Sequence, residues 1–375
     1  KKERKKEVQE LEQEKEYLTA ENEGLTLQIA DARADIKNLR EDKMGYKNTV
    51  LFISPKFFNY EKEIVKELEL TNDVIYWDER PSNNAIYKSL LRLGCSILIK
   101  KYNSSYYKKL LRQIVNKKID NVFILNPEAI DHEILQAIKK TVKVKNEHCK
   151  FIMYLWDSVN NKPKVKRIIN QFDSVFTFER DDAEKWGVTF LPLFYSPRFD
   201  NKHEHSLKYD LCFIGTAHSD RVDLVNCITA EVRNIKDINA YTFFYFQNEI
   251  IFKLKNLLSG KKINTDVEFE PLSQSEVVEM MKCSEIIIDI HHPRQRGLTM
   301  RTIECIGLNK KIITTNEDIK KYDFYDPNMI CVVKRHQVIV PENFINAPNV
   351  NYKNREQYSL QQWVKKIISP EGVRE

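Results

Sequence analysis

One stretch of the chain brings histidine, arginine and glycine together directly after an apolar segment. The segment from Ile286 to Ile290 is followed by the run His291-His292-Pro293-Arg294-Gln295-Arg296-Gly297-Leu298-Thr299-Met300-Arg301. A helical pattern begins at Thr302, so these side chains stand near a helix N-terminus, where the macrodipole favours anions. Arginine adds bidentate hydrogen bonds to phosphate oxygens. The run therefore predicts a phosphate-binding turn.

Glu304 lies one turn into that helix. A carboxylate at this place can accept hydrogen bonds from the hydroxyls of a ribose, but it can equally be an ordinary solvent-facing helix residue. The neighbouring histidines His291 and His292 do not predict a metal site, because adjacent residues of an extended chain point in opposite directions and no third ligand is evident.

A second loop with the same character follows the apolar run from Leu211 to Ile214. It contributes Gly215, Thr216, His218 and Arg221 before the next helical pattern begins. Glycine allows close approach of the backbone to a ligand, and freed amides beside an arginine suit a diphosphate. A plain strand-turn-helix connection has the same appearance, and the loop alone does not decide between the two interpretations.

Carboxylates at the ends of apolar runs are the candidates for acid-base chemistry. Asp157, after the run Phe151 to Trp156, is the first candidate for a general base that deprotonates an acceptor hydroxyl. The alternative is that it only caps the following turn. Asp78 and Glu179 are weaker candidates by the same reasoning.

These loops need a frame, and the sequence predicts an α/β fold. Short β-branched and aromatic runs alternate with helical stretches, which is typical of parallel sheets with helices on both faces. Ligands bind at the carboxyl ends of such strands. The expected strands are Thr49–Ser54, Val74–Trp77, Ser96–Ile99, Asn121–Leu125, Phe151–Trp156, Val175–Phe178, Val188–Leu193, Leu211–Ile214, Tyr241–Phe246, Val267–Phe269, Glu285–Ile290, Lys311–Thr314 and Met329–Val333.

The pattern divides the chain into four parts. Residues 46–198 and 207–350 are expected to form two consecutive Rossmann-like domains facing a cleft, and residues 355–375 a helix that packs back across their junction. Residues 1–43 keep a heptad repeat that predicts a coiled coil, native or fused. Asn22 at a core position favours a parallel dimer over a trimer. The basic start of this segment is too short for a DNA-reading helix, so no nucleic-acid partner is expected.

Composition limits the class of protein. The 375 residues carry a net charge of +6, and no stretch is long and apolar enough to span a membrane. The seven cysteines are scattered without a CxxC pair, which favours a reduced, cytoplasmic protein without disulfides or zinc. A basic, tyrosine-bearing stretch from Ser104 to Lys118 could rest on the inner face of an anionic membrane, although its apolar residues also fit an ordinary core stripe.

Three segments of the second half carry a resemblance: Tyr209 to Gly215, Ser284 to Gly307 and Lys311 to Asn316. Together they resemble the C-terminal half of group 1 glycosyltransferases of the GT-B fold, in the branch of spore-maturation-protein-like and capsule or lipopolysaccharide enzymes. The resemblance implies a nucleotide-sugar donor, no cofactor and no obligatory metal. It places Glu304 on the ribose and Gly297 to Arg301 on the diphosphate.

The remaining donor residues implied by position are His292, Gln295, Leu298 and Thr299 in the arginine-rich run, with Phe269 beside the base. The chain departs from the family at Cys305 and Ile306, where small residues are usual. The function expected is sugar transfer to a glycan or lipid-linked acceptor in bacterial surface polysaccharide synthesis. A non-catalytic scaffold organised by the coiled coil and a nucleotide-sugar epimerase of similar build are the alternatives.

Overall fold

The computed structural model describes residues 47–92, 96–201, 205–218, 220–253, 266–293 and 295–369. The predicted coiled coil of residues 1–43 and Arg294 of the arginine-rich run lie outside the described residues. From Thr49 onward the chain forms one compact unit. No helix in the described ranges has the length and apolar character needed to cross a bilayer.

The first half of that unit is built on a parallel sheet of six described strands in the order β2-β1-β3-β4-β5-β6. Strands at its centre are buried on both faces because helices cover both sides, as their continuous apolar sequences require. The strands are β1 (Thr49–Ser54), β2 (Asp73–Asp78), β3 (Asn121–Leu125), β4 (Lys150–Leu155), β5 (Ser174–Thr177) and β6 (Thr189–Phe190).

Helices connect these strands in the usual crossover manner. They are α1 (Tyr60–Glu69), α2 (Ala85–Arg92), α3 (Ser96–Ile114), α4 (His132–Lys143) and α5 (Arg180–Trp186). Two short 3-10 helices, Pro163–Arg167 and Ile169–Gln171, lie between β4 and β5.

The expected strand Ser96–Ile99 is wrong, because these residues form the first turn of α3. The apolar run was too short for its period to be recognised. In the structure Ile99 begins a buried stripe that continues through Tyr107, Leu110 and Ile114. That spacing is helical, and burying the stripe against the sheet stabilises a helix over a strand.

The second half carries a parallel sheet of five described strands in the order β11-β10-β9-β7-β8. Its strands are β7 (Tyr209–Thr216), β8 (Ala240–Tyr245), β9 (Ser284–Asp289), β10 (Lys311–Thr314) and β11 (Ile330–Val332). The expected strand Val267–Phe269 is reduced to a single parallel bridge between Tyr245 and Glu268. Its helices are α6 (Arg221–Ile235), α7 (Gln274–Lys282), α8 (Met300–Leu308), α9 (Glu342–Asn346) and α10 (Leu360–Ile368).

The two halves share one hydrophobic cluster that draws on both sheets. The last described helix, α10, inserts Trp363 among aromatic rings of the first half, with ring-centre distances of 4.8 Å to Tyr154 and 4.6 Å to Phe194. Beside it, α8 packs on the connecting segment: a Cβ added at Gly307 would lie 2.5 Å from the Tyr195 ring. The expected α/β architecture with two parallel sheets is therefore confirmed.

Candidate functional site

A pocket of about 400 Å³ lies at the carboxyl ends of β7 and β9. Both loops that the sequence singled out reach it, because neighbouring parallel strands end at the same edge of a sheet. Its lining combines polar and ionisable side chains with the first turn of α6: Thr216, His218, Asp220, Arg221, His291, His292 and Pro293.

Arg221 is fixed at the base of this pocket. Its Nη1 donates to Oγ1 of Thr216 at 2.5 Å, and its Nε donates to the carbonyl oxygen of Ile290 at 3.1 Å. Burial lowers the pKa of the guanidinium from its usual value, yet it stays charged at any physiological pH. The pocket thus holds a preorganised, half-buried positive charge.

A second arginine, Arg335, was missed by the sequence analysis. It follows β11, and its Nη1 donates to both carboxylate oxygens of Asp220 at 2.7 and 2.6 Å while its Nη2 donates to the carbonyl oxygen of His291. It offsets the one acidic side chain of the lining. The strand-end rule could have found it, since Arg335 lies just beyond the expected strand Met329–Val333.

The pKa of His291 reflects the positive charge of the pocket. Its Nδ1 lies 2.7 Å from Oγ1 of Thr315. Burial, followed by the charge of Arg335, lowers the pKa of His291 below the usual histidine value, so that the imidazole is neutral at neutral pH. A bound anion would reverse part of this shift.

Aromatic rings pack behind His218 of the pocket lining, near the end of β8. His218 contacts Phe246 at 5.1 Å between ring centres, and Phe252 connects Phe246, at 5.1 Å, to Phe269, at 5.9 Å. Two rings, Phe246 and Phe252, therefore separate Phe269 from His218, and Phe269 does not line the cavity. Its place beside a nucleotide base stays a prediction. Gly215 does not line the pocket either, and a Cβ there would come 2.8 Å from the Phe213 ring.

The remaining part of the arginine-rich run turns away from the pocket and meets the first half of the chain. The backbone N–H of Gly297 donates to Oε2 of Glu179 at 2.7 Å. A Cβ at Gly297 would lie 2.6 Å from the Phe178 ring, so only glycine allows this approach. Leu298 is buried in the shared hydrophobic cluster. The N–H of Gln295 donates to the carbonyl oxygen of His292 and closes the turn.

Thr299 is the N-cap of α8. Its side chain accepts a hydrogen bond from the N–H of Thr302 and donates one to Oδ2 of Asp289 at 2.7 Å. Asp289, at the end of β9, was also missed; it is buried and orients the helix start. The cap occupies the Thr302 amide, which a phosphate would otherwise use.

Glu304 lies at the contact between the two halves, and only 5% of the residue is exposed. Its Oε1 accepts a hydrogen bond from the hydroxyl of Tyr60, and its Oε2 accepts one from Nη1 of Arg301 at 2.9 Å. Both oxygens therefore have protein partners. The predicted contacts of Glu304 and Arg301 with a nucleotide stay predictions, and each requires these hydrogen bonds to be exchanged.

The three strand-end carboxylates of the first half differ in environment. Asp157 accepts hydrogen bonds at Oδ1 from the Ser158 N–H and the Asn161 side chain, at 2.9 and 2.8 Å, which is the turn-capping arrangement. Asp78 accepts likewise from the Arg80 N–H at 3.0 Å. Glu179 is different, because burial raises its pKa to about 7. No metal-binding group of three or more His, Cys, Asp or Glu occurs in the described part of the chain.

Comparisons with known proteins address the fold. No family model matches the chain, and no curated protein matches it significantly. A solved alpha-glucosyltransferase in complex with UDP-glucose and DNA containing an abasic site matches at TM-score 0.50 with 10% identity, covering 86% of this chain and 95% of that one. This chain has the GT-B fold. At such identity the likeness concerns the fold alone.

Two further structures match below that level. The glycosyltransferase from Rickettsia africae ESF-5 gives a TM-score of 0.49 at 13% identity, with 88% of this chain and 99% of that chain covered. The lipopolysaccharide outer core galactosyltransferase WaaB, in its apo form, gives 0.47 at 10% identity, with 85% and 95% covered. In the GT-B frame of this chain, the pocket lies at the carboxyl edge of the second sheet.

Proposed function

We propose that this GT-B protein is a glycosyltransferase that takes a sugar from a nucleoside-diphosphate sugar and transfers it to a glycan or lipid-linked acceptor in bacterial surface polysaccharide synthesis. One observation carries the proposal: the positive pocket at the carboxyl ends of β7 and β9, built around Arg221. The UDP-glucose complex of a protein with the same fold supports a donor of this class.

The pocket suits a diphosphate in charge and in size. Arg221 supplies a fixed positive charge, and the charge of Asp220 is already compensated by Arg335. Asp220 is the N-cap of α6 without making a side-chain capping bond, so the first amides of a fifteen-residue helix are not capped by it. A volume of about 400 Å³ lies in the range of small-molecule sites.

The same groups account for catalysis of transfer. Breaking the bond between sugar and diphosphate builds negative charge on the leaving oxygen, and a preorganised cation in a partly buried site stabilises that charge. Arg221 would do this as a cation, and the imidazoles of His291 and His292 would add hydrogen bonds, without a metal. A nucleotide sugar is then a substrate, and the reaction needs no cofactor.

On the acceptor side, Glu179 fits the requirements of a general base better than Asp157. A base works best when its pKa is close to the working pH, and the pKa of Glu179 is raised to about 7. It also contacts Gly297 of the second half directly.

The N-terminal heptads would hold two such enzymes together as a parallel dimer in the cytoplasm. Analytical ultracentrifugation of the chain measures this oligomeric state.

The proposal is tested by calorimetric titration of the chain with UDP and UDP-glucose. Arg221→Gln should weaken binding by roughly tenfold or more, since a charge-assisted hydrogen bond contributes about 1.5–3 kcal/mol. Arg233→Gln is the matched control, because Arg233 is exposed at the far end of the same helix. Equal affinity in both variants, or no binding of any nucleoside diphosphate or its sugars, contradicts the proposal.

Turnover separates the enzyme from a scaffold with the same pocket. Incubation with UDP-glucose and other nucleotide sugars should release free nucleoside diphosphate, which a coupled assay detects, and Arg221→Gln should slow that release. Tight binding without any release, in the presence of a panel of glycan and lipid-linked acceptors, would favour the non-catalytic alternative.

A further inference from the structure

The outer face of α3 carries a row of basic side chains that the proposed donor site does not use. Lys101, Lys108, Lys109 and Arg112 recur at helical spacing on the side of α3 opposite its buried stripe, and all four are exposed. We define these four residues as the basic face. It extends along about 17 Å of helix, from the rise of 1.5 Å per residue.

The basic face is not compensated by acidic side chains. Residues 96–118 contain no Asp or Glu. Lys100 is ion-paired with Glu133 at 2.7 Å, whereas the four residues of the basic face have no ion-pair partner among the described residues. Solvated helices usually mix both signs of charge, because opposite charges at i and i+4 stabilise a helix and like charges repel. A helix face with positive charges alone therefore lowers the stability of the isolated protein.

Exposed apolar side chains flank the basic face. Tyr102 is 52% exposed, Val115, next after the end of α3, is 44% exposed, and Ile86 on the neighbouring α2 is 74% exposed. The ring of Tyr102 contacts that of Tyr87, which follows Ile86, at 6.0 Å between centres. Basic residues beside an amphipathic aromatic ring and aliphatic side chains are the composition of a surface that lies in a bilayer interface.

We propose that the basic face of α3, with Tyr102 and Ile86, docks the protein onto an anionic phospholipid surface. Lys and Arg attract the negatively charged headgroups, and the tyrosine and isoleucine enter the boundary between headgroups and acyl chains. The packing of the apolar residues of α3 into the core explains the buried side of this helix but not its basic face. A nucleic acid backbone would also attract the four cations, but it gains nothing from an exposed isoleucine, and this favours the lipid surface.

The test is flotation of the full chain with vesicles of phosphatidylglycerol and phosphatidylcholine, compared with vesicles of phosphatidylcholine alone. Binding should require the anionic lipid and weaken as salt is raised. Each Lys or Arg near an anionic surface contributes a factor of roughly 5 to the partition coefficient, so K101E/K108E/K109E/R112E should lower it on the order of several hundred-fold. Ile86→Ser with Tyr102→Ser should lower it as well.

The matched control is K62E/K66E/K140E/K143E, which makes the same change in net charge at four exposed lysines of α1 and α4. It should retain most of the binding, and both quadruple variants should still titrate UDP as the wild type does if the donor pocket is as proposed. The proposal is wrong if the chain does not bind anionic vesicles, or if both quadruple variants lose vesicle binding equally. It is also wrong if the charge reversals in the basic face weaken binding of duplex DNA but leave binding of the vesicles unchanged.

Discussion

The hydroxyl of Tyr60, at the start of α1, donates a hydrogen bond to Oε1 of Glu304, which comes 244 residues later in α8. Burial, followed by the charge of Glu304, raises the pKa of the phenol well above its usual value, so Tyr60 remains a donor. This bond joins the two halves of the GT-B unit at the residue that the sequence assigns to a nucleotide ribose.

Replacing Tyr60 with Phe should therefore act on stability and on binding in opposite directions. Loss of one hydrogen bond to a buried carboxylate should lower the free energy of unfolding by about 1–3 kcal/mol, measured by urea denaturation. If Glu304 binds ribose, UDP should bind more tightly to Tyr60→Phe, because a competitor for Oε1 is removed. Unchanged UDP affinity in both Tyr60→Phe and Glu304→Gln would exclude the ribose role. Tyr102→Phe, at an exposed tyrosine, is the control.

The pH dependence of stability should show the buried carboxyl of Glu179. Its pKa in the folded protein is about 7 against an ordinary value of 4.5. The folded state therefore holds a proton that the unfolded state releases, and stability falls as pH rises from 4.5 to 7 and then levels off. Glu179→Gln removes that fall, which amounts to roughly 3 kcal/mol at 1.36 kcal/mol per pKa unit.

Urea denaturation at pH 5 and pH 8 measures this difference. At pH 5 the free energy of unfolding of the Gln variant should be close to that of the wild type, and at pH 8 it should be higher. Glu147→Gln, at an exposed site, should change neither value. A variant that is less stable than the wild type at the alkaline end would show that the ionised carboxylate is stabilising.

Donor binding should be coupled to proton uptake at His291. Its pKa is lowered by burial and by Arg335, and the negative charge of a diphosphate opposes the second cause. Binding of UDP should therefore take up protons and tighten as pH falls below the ordinary histidine value of about 6.5. Calorimetry in buffers of different ionisation enthalpy measures the uptake. His291→Gln should abolish this contribution, and an unchanged uptake in that variant assigns it elsewhere.

Gly307 should tolerate no side chain. A Cβ there would lie 2.5 Å from the Tyr195 ring and 2.6 Å from the carbonyl oxygen of Phe199, and the latter belongs to the backbone. Gly307→Ala should cost about 1–3 kcal/mol from overpacking, although alanine is the better helix former. Thermal unfolding detects the loss. Ser105→Ala, exposed on α3, should be near neutral, and a stable Gly307→Ala would mean that the connecting segment can shift.

Most strands could be predicted because buried parallel strands are short, continuous apolar runs. The ranges Thr49–Ser54, Asn121–Leu125 and Lys311–Thr314 coincide with β1, β3 and β10. The error at Ser96–Ile99 arose because a run of three apolar residues after Ser96 is too short to show a period of its own. The helix that contains it is set by tertiary burial of residues further along.

The candidate site was predictable only in part. The strand-end rule located the loops that line the pocket, since it depends on local sequence alone. Contacts between distant residues could not be predicted in this way: the pairing of Arg335 with Asp220 spans 115 residues, and the hydrogen bond from Gly297 to Glu179 spans 118. Sequence places Glu304 on a helix but cannot say that Tyr60 covers it.

The aromatic setting of Trp363 has a consequence for the order of biosynthesis. The rings that it contacts, Tyr154 and Phe194 among them, are translated long before α10. A nascent first half therefore leaves the ribosome with an unfilled apolar cavity, which is filled only after α10 has been synthesised. Such an intermediate exposes apolar surface that is prone to aggregation. Folding of this protein during synthesis should therefore depend on chaperones more than folding of a domain whose core is formed by consecutive segments.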